Sequence, residues 1–143
     1  MIFVAKKSFN SKHFLNINAY IEEKTLKERI FFEFYLDYDR SRYIKIALNL
    51  VDLRAIIYAM KEVVKKGNTE FSKITQNDKT IKRLTITKWY LNATDGNLQI
   101  SIGFENAYFF MAAADELLRL ADEITSFMYE YQREKKSKAL KRN

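Results

Sequence analysis

The sequence predicts an α+β protein in which antiparallel β-strands followed by a helix occur twice, the second helix being long and packed on the sheet. Three observations lead there. Arg29 to Val64 reads as two strands joined by a tight polar turn and followed at once by an amphipathic helix. A weaker copy comes next: with Ile46 laid on Ile100, fifty-four positions on, IALNLVDLRAIIYAMKEVV falls on ISIGFENAYFFMAAADELL, apolar meeting apolar at nearly every core-type position. The same offset puts Ile30 on Leu84, Phe32 on Ile86 and Leu36 on Tyr90. Finally, the chain from Asn106 loses strand character and contains no proline, so it can stay helical for roughly thirty residues, about 45 Å. The expected organisation is one domain, 1–137, made of two repeats at about 1–67 and 68–137, with 138–143 a basic flexible tail.

Met1 to Lys7 is a short apolar run suited to an edge strand, with Ser8 to Ser11 as the turn after it. His13 to Glu22 alternates, Leu15, Ile17, Ala19 and Ile21 on one face and Phe14, Asn16, Asn18 and Tyr20 on the other, the period of a half-buried strand. Arg29 to Tyr38 repeats the pattern, Ile30, Phe32, Phe34 and Leu36 inward and Arg29, Phe31, Glu33 and Tyr35 outward. Asp39-Arg40-Ser41 turns the chain. Arg42 to Asn49 then brings Ile44, Ile46 and Leu48 inward, leaving Tyr43, Lys45 and Ala47 outside. Asn49 to Asp52 offers capping side chains for a helix to Lys66, in which Leu53, Ile56, Ile57, Met60, Val63 and Val64 form the buried stripe and Gly67 the stop.

The second unit opens with a weaker strand near Thr69 to Gln76 and a polar connection at Asn77 to Lys79. Ile81 to Asn92 reads as its best strand, Leu84 and Ile86 inward and Arg83, Thr85, Thr87 and Trp89 outward. Asp95-Gly96 is the strongest hairpin signal in the chain, and Leu98, Ile100, Ile102 and Phe104 complete the core face. In the long helix, Ala107 to Ala114 is apolar nearly all round, which implies burial. Leu117, Leu120, Ala121, Ile124, Phe127, Met128 and Tyr131 form one stripe that outruns a small sheet. Beyond Arg133 fraying is expected.

Composition excludes several chemistries. There is no cysteine, so neither a disulfide framework nor a thiolate metal site is possible. The single histidine, His13, cannot build a histidine metal cluster and reads as a turn or strand-end residue. Glycine stands only at 67, 96 and 103, which rules out a glycine-rich phosphate loop. The amino-terminal run is too short for a signal core or a membrane span. The expectation is a cytoplasmic, non-enzymatic protein without metal or cofactor and without membrane partners. Of the net charge of +7, five charges belong to Arg133–Asn143, which holds six basic residues and one acid. The folded part is therefore nearly balanced, and any basic surface on it has to come from clustering.

The outward faces carry the functional signal. Phe14, Tyr20, Phe31, Tyr35, Tyr43 and Trp89 are interleaved there with Arg29, Lys45 and Arg83 and with the amides of Asn16 and Asn18. Rings and cations on one face suit single-stranded nucleic acid: bases stack on rings for about 1–3 kcal/mol each and phosphates pair with Lys or Arg. DNA is favoured over RNA. The competing reading is that these aromatics lie under the long helix or in a subunit interface, since such residues also populate interfaces. The chain would then be an oligomeric assembly protein without nucleic-acid affinity. Under either reading the helices are the expected route to a homodimer or higher homo-oligomer.

Phe34-Tyr35-Leu36-Asp37 followed by Arg42-Tyr43-Ile44-Lys45-Ile46-Ala47 resembles the strand pair of the Pur-alpha repeat. Lys45-Ile46-Ala47-Leu48-Asn49 running into a helix is similar to the same junction in the Whirly-like transcriptional coactivators. The resemblance implies a curved antiparallel sheet that binds single-stranded DNA or RNA, with roles for Tyr35, Tyr43 and Lys45 and, through the repeat, Trp89. The second copy departs from it, having Asn97 and Gln99 where Tyr43 and Lys45 stand, and a helix about twice the expected length.

Overall fold

The computed structural model describes residues 1–67, 71–76 and 81–141. Its order is β1 Ile2–Asn10, β2 Phe14–Ile21, β3 Glu28–Tyr35, β4 Tyr43–Leu48 and α1 Leu50–Lys66, then β5 Phe71–Gln76, β6 Ile81–Thr87, β7 Tyr90–Asp95, β8 Leu98–Gly103 and α2 Ala107–Lys141. The strands form two antiparallel four-stranded meanders, sheet A in the order β1-β2-β3-β4 and sheet B in the order β5-β6-β7-β8. The expected α+β architecture of strands followed by a helix, twice, is what the chain adopts. Alternation sets the inner faces: Leu15, Ile17, Ile30, Phe32, Phe34, Ile44 and Ile46 of sheet A and Leu84, Ile86, Leu91, Ala93, Ile100 and Ile102 of sheet B are wholly buried. They join the stripes of both helices in one hydrophobic cluster.

Helix α1 starts where its donors find acceptors. Asn49 Oδ1 accepts from the Asp52 N–H at 2.8 Å and Asp52 Oδ2 accepts from the Asn49 N–H at 3.1 Å, a complete capping box. Glu28 Oε1, from the start of β3, accepts from the Leu50 N–H at 2.9 Å and ties the helix to the sheet before it. The helix ends at Gly67, whose N–H donates to the Val63 carbonyl. Arg54 reaches Asp122 and Thr125, and Lys61 lies 3.5 Å from Asp115, so α1 and α2 run antiparallel. Each helix also crosses to the other repeat, α1 packing on β5 and β6 and α2 on β1.

Several boundaries differ from the sequence reading. β1 continues through Asn10, and the turn is Ser11 to His13, because Lys6 to Asn10 pairs residue by residue with β2. The register slips between Phe3 and Ala5, a bulge that turns Phe3 to the outer face while Ala5 is buried. Ile81 to Asn92 is not one strand: the chain reverses at Lys88-Trp89, where Trp89 takes φ +68°. Sheet B thus has four strands, and the repeat aligns β4 and α1 correctly with β8 and the start of α2 but lays β3 on β6, whose place in the sheet is that of β2. Asp95-Gly96 does make a hairpin, with Gly96 at φ +60° in a two-residue loop. Asn77 to Lys79 lies outside the described residues.

The start of α2 is not buried all round. Phe110, Ala113 and Ala114 face the core, but Tyr108 is 86% exposed and Phe109 55%. At its other end α2 continues past Arg133 to Lys141, since the basic segment is built of good helix formers with no glycine or proline to stop it. Among the described residues no helix is long and apolar enough to cross a membrane.

Candidate nucleic-acid interface

Strand register arranges the outer face of sheet A in rows across its four strands. Asn10, Phe14, Tyr35 and Tyr43 form the first row, Ser8, Asn16, Glu33 and Lys45 the second, and Lys6, Asn18, Phe31 and Ala47 the third. A fourth, shorter row holds Phe3, Tyr20 and Arg29. The rings fall into two groups on either side of the polar second row. Tyr35 and Tyr43 stack at 5.3 Å and 25°, with Phe14 beside them under the guanidinium of Arg40 at 4.8 Å. Phe3, Tyr20 and Phe31 run edge to face at 5.8 and 5.9 Å, and the Lys45 ammonium lies over Phe31 at 4.3 Å.

Phe14, Tyr20, Arg29, Phe31, Tyr35, Tyr43 and Lys45 are therefore brought together as sequence alternation placed them. Arg83 and Trp89 are not with them. Arg83 belongs to the outer face of sheet B, in a row with Ile74, Thr94 and Gln99. Trp89 leaves the outer face altogether: the turn directs its half-buried ring against Phe110 of α2 at 5.8 Å, and its carbonyl accepts from the Phe104 N–H at 2.7 Å. The face also gains members that alternation alone did not offer. Phe3 arrives through the bulge, Lys6, Ser8 and Asn10 through the length of β1, and Arg40 from the β3–β4 loop. A polar run in an edge strand signals none of these.

The charges on this face are largely engaged. Glu33, at its centre, accepts a hydrogen bond from the Tyr35 hydroxyl at 2.7 Å and lies 3.8 Å from Lys45. Partial burial, together with the neighbouring carboxylate that accepts its proton, pushes the Tyr35 phenol up to about 12. The phenol holds its proton more tightly folded than unfolded, so that stabilisation is complete below pH 10 and is lost as pH rises towards 12. Arg29 donates from Nε and Nη2 to Glu22 Oε2 at 3.2 and 3.1 Å. Lys6 has no ion pair among the described residues.

A hollow of about 320 Å³ opens beside the first two rows, lined by Ser8, Asn10, Phe14, Asn16, Tyr35 and Arg40. At the far end of the face a second hollow, about 490 Å³, is lined by Met1, Glu22, Glu23, Lys24, Arg29 and Phe31. Rings, amides and a guanidinium suit the first to a planar heteroaromatic group, whereas two carboxylates make the second a poor place for a phosphate. His13 stands at the edge of β2 and accepts at Nδ1 from the Asp37 N–H at 3.3 Å, which ties the β1–β2 turn to the end of β3. Among the described residues no three His, Asp or Glu side chains are grouped so as to hold a metal ion.

The outer face of sheet B is of another kind. Asn92 donates to Thr87 Oγ1 at 3.0 Å and accepts from Ser101 Oγ at 2.6 Å, and Tyr90 is the aromatic residue among the described members of these rows. The two sheets share a fold but not a surface.

No family model and no curated protein matches the chain. Among solved structures, the chain is similar to that of the plant transcriptional regulator PBF-2, at 14% identity and a TM-score of 0.47, over 89% of this chain and 88% of that one.

Proposed function

We propose that this chain is a sequence-tolerant single-stranded nucleic-acid-binding protein, DNA favoured over RNA, whose platform is the outer face of sheet A. The observation that supports this most is the set of rows in which Phe14, Tyr35 and Tyr43 on one side and Phe3, Tyr20 and Phe31 on the other bracket amides and cations on the outer face of one sheet. Rings spread over a flat, twisted surface offer successive bases something to stack on, which a duplex with its bases already stacked cannot use. Lys6, Lys45 and Arg40 lie within the same rows or beside them to meet phosphates, and the basic end of α2 extends that field. The role is binding rather than catalysis.

The test is fluorescence anisotropy of labelled single-stranded and duplex oligonucleotides of equal length at two salt concentrations. We expect a preference for the single strand. Replacing Phe14, Tyr43 and Lys45 together by Ala should weaken it about a hundredfold without changing the circular dichroism spectrum. A folded triple variant that grips the oligonucleotide as before would remove sheet A from consideration.

A second reading has its own observation. Val51 and Tyr58 of α1 and Tyr129 of α2 are 76, 67 and 67% exposed on the helical side of the molecule. These are the residues through which we propose a homodimer or higher homo-oligomer would form. Sedimentation velocity on the wild type and on the Tyr58→Glu variant decides it: the variant should be the smaller species.

A further inference from the structure

A hollow of about 590 Å³ lies on the other side of the β1–β2 loop from the sheet A platform, between that loop and the outer face of sheet B. Lys12 and His13 contribute from the loop, and Tyr90, Gln99, Ser101 and Gly103 from β7 and β8. Its volume is in the range of small-molecule sites. Tyr90 and Gly103 are cross-strand partners. A Cβ at position 103 would stand 2.6 Å from Tyr90 Cε1, 3.1 Å from Cδ1 and 3.3 Å from Cζ. Glycine is thus what lets the ring lie down on the sheet, supported from below. Tyr90 remains 48% exposed and, among the described residues, makes no ring contact. A ring held against backbone on one side and open on the other is a stacking platform with no occupant among the described residues.

The polar groups around it are available as well. Ser101 spends its hydroxyl proton on Asn92 Oδ1, which leaves its oxygen to accept. The Gln99 amide, which both donates and accepts, and the Lys12 ammonium have no partner among the described residues. Glu105 also borders the hollow, so its one carboxylate offsets the Lys12 charge and the site favours a neutral heterocycle over a free phosphate. The loop that separates this hollow from sheet A is only Ser11 to His13, and the residues flanking it, Asn10 and Phe14, line the sheet A hollow.

We propose that this second hollow is a single-nucleobase subsite at one end of the nucleic-acid path, Tyr90 stacking the base, Gln99 and Ser101 reading its edge, and Lys12 meeting the adjoining phosphate. It rests on the single-strand reading of sheet A and adds to it a point of base preference, supplied by hydrogen bonds, on a path that is otherwise sequence-tolerant. Gly103 is a positioning residue: it holds the ring flat.

Amide resonances of the wild-type protein, titrated with a single-stranded twelve-mer of each base, separate the possibilities. We expect shifts both at Tyr90, Ser101 and Gly103 and at Asn18 and Lys45. Shifts confined to Asn18 and Lys45 would overturn the subsite and leave the sheet A platform standing. Shifts confined to Tyr90, Ser101 and Gly103 would keep the subsite and remove the platform; none at either place defeats both. In anisotropy, Tyr90→Ala should lose about tenfold in affinity. Gly103→Ala, which retains the ring but lifts it, should lose a comparable amount, and Gln99→Ala should flatten differences among the four homopolymers. Unchanged affinity in a folded Tyr90→Ala protein would sink the proposal.

Discussion

Glu33 is the side chain on which the binding face turns. It lies in the central row, holds the Tyr35 hydroxyl and stands 3.8 Å from Lys45. A carboxylate there repels a phosphate chain and occupies the cation that would meet it. Glu33→Gln should therefore tighten single-strand binding several-fold, about 1 kcal/mol, and the gain should shrink at high salt. Unchanged or weaker binding, measured by anisotropy, would mean that Lys45 is useful only when Glu33 positions it. Trp89 poses the opposite question, since a bulky residue at φ +68° is strained by about 1–3 kcal/mol and is held there by packing on Phe110. In urea unfolding followed by circular dichroism, Trp89→Ala should be the less stable of the two truncations and Trp89→Gly about 1 kcal/mol better, both falling below wild type. Equal stabilities would show that the turn stores no strain. Alternation placed Glu33 outward, where it stands, but it also assigns Trp89 outward, and a Lys-Trp turn carries none of the usual turn residues.

Among the elements, legibility followed periodicity. β2, β3, β4 and α1 were readable because each alternates or repeats cleanly and because Asn49, Asp52 and Gly67 mark the helix ends chemically. The β6–β7 turn was invisible, and the repeat slipped there, because the β3–β4 loop is seven residues long and its β7–β8 counterpart two. A fixed offset cannot follow both. Helix α2 shows the same division. Its stripe is buried through Ile124 and half-buried beyond, since α1 begins at Leu50, opposite Thr125 to Gln132, and among the described residues no partner helix continues past it. Arg133 to Leu140 is helical and exposed. If it acts as an electrostatic arm, a protein ending at Gln132 should keep its preference for single strands. The plot of log affinity against log salt should become shallower by about 0.7 for each phosphate that the arm neutralises. An unaltered slope would mean that the sheet alone meets the phosphates.

Taken as a molecule, the two repeats share one hydrophobic cluster. Helix α1 packs on β5 and β6 of the second repeat, while α2 packs on β1 of the first. Lys7 of β1 pairs with Glu116 of α2, Phe9 meets Phe104 edge to face at 5.9 Å, and Lys82 of β6 donates to the Lys45 carbonyl of β4 at 2.8 Å. Parts of both sheets are therefore covered by the other repeat: β1 by α2, β5 and β6 by α1, and β3 and β4 by strands of sheet B. Residues 1–67 alone would leave part of the α1 stripe in water, and residues 68–143 alone would leave α2 without the strand and helix it covers; each exposed Leu, Ile or Phe costs about 1.5–3 kcal/mol. A few such residues exceed the whole stability of a small domain. Unfolding should then be a single transition, with Trp89 fluorescence, which reports the second repeat and α2, coinciding with far-ultraviolet dichroism, which reports both. Residues 1–67 and 68–143, made separately, should each be unstructured. Two separated transitions, or a half that folds alone, would show that the crossed helices join domains already stable, and the platform on sheet A could then be studied without α2.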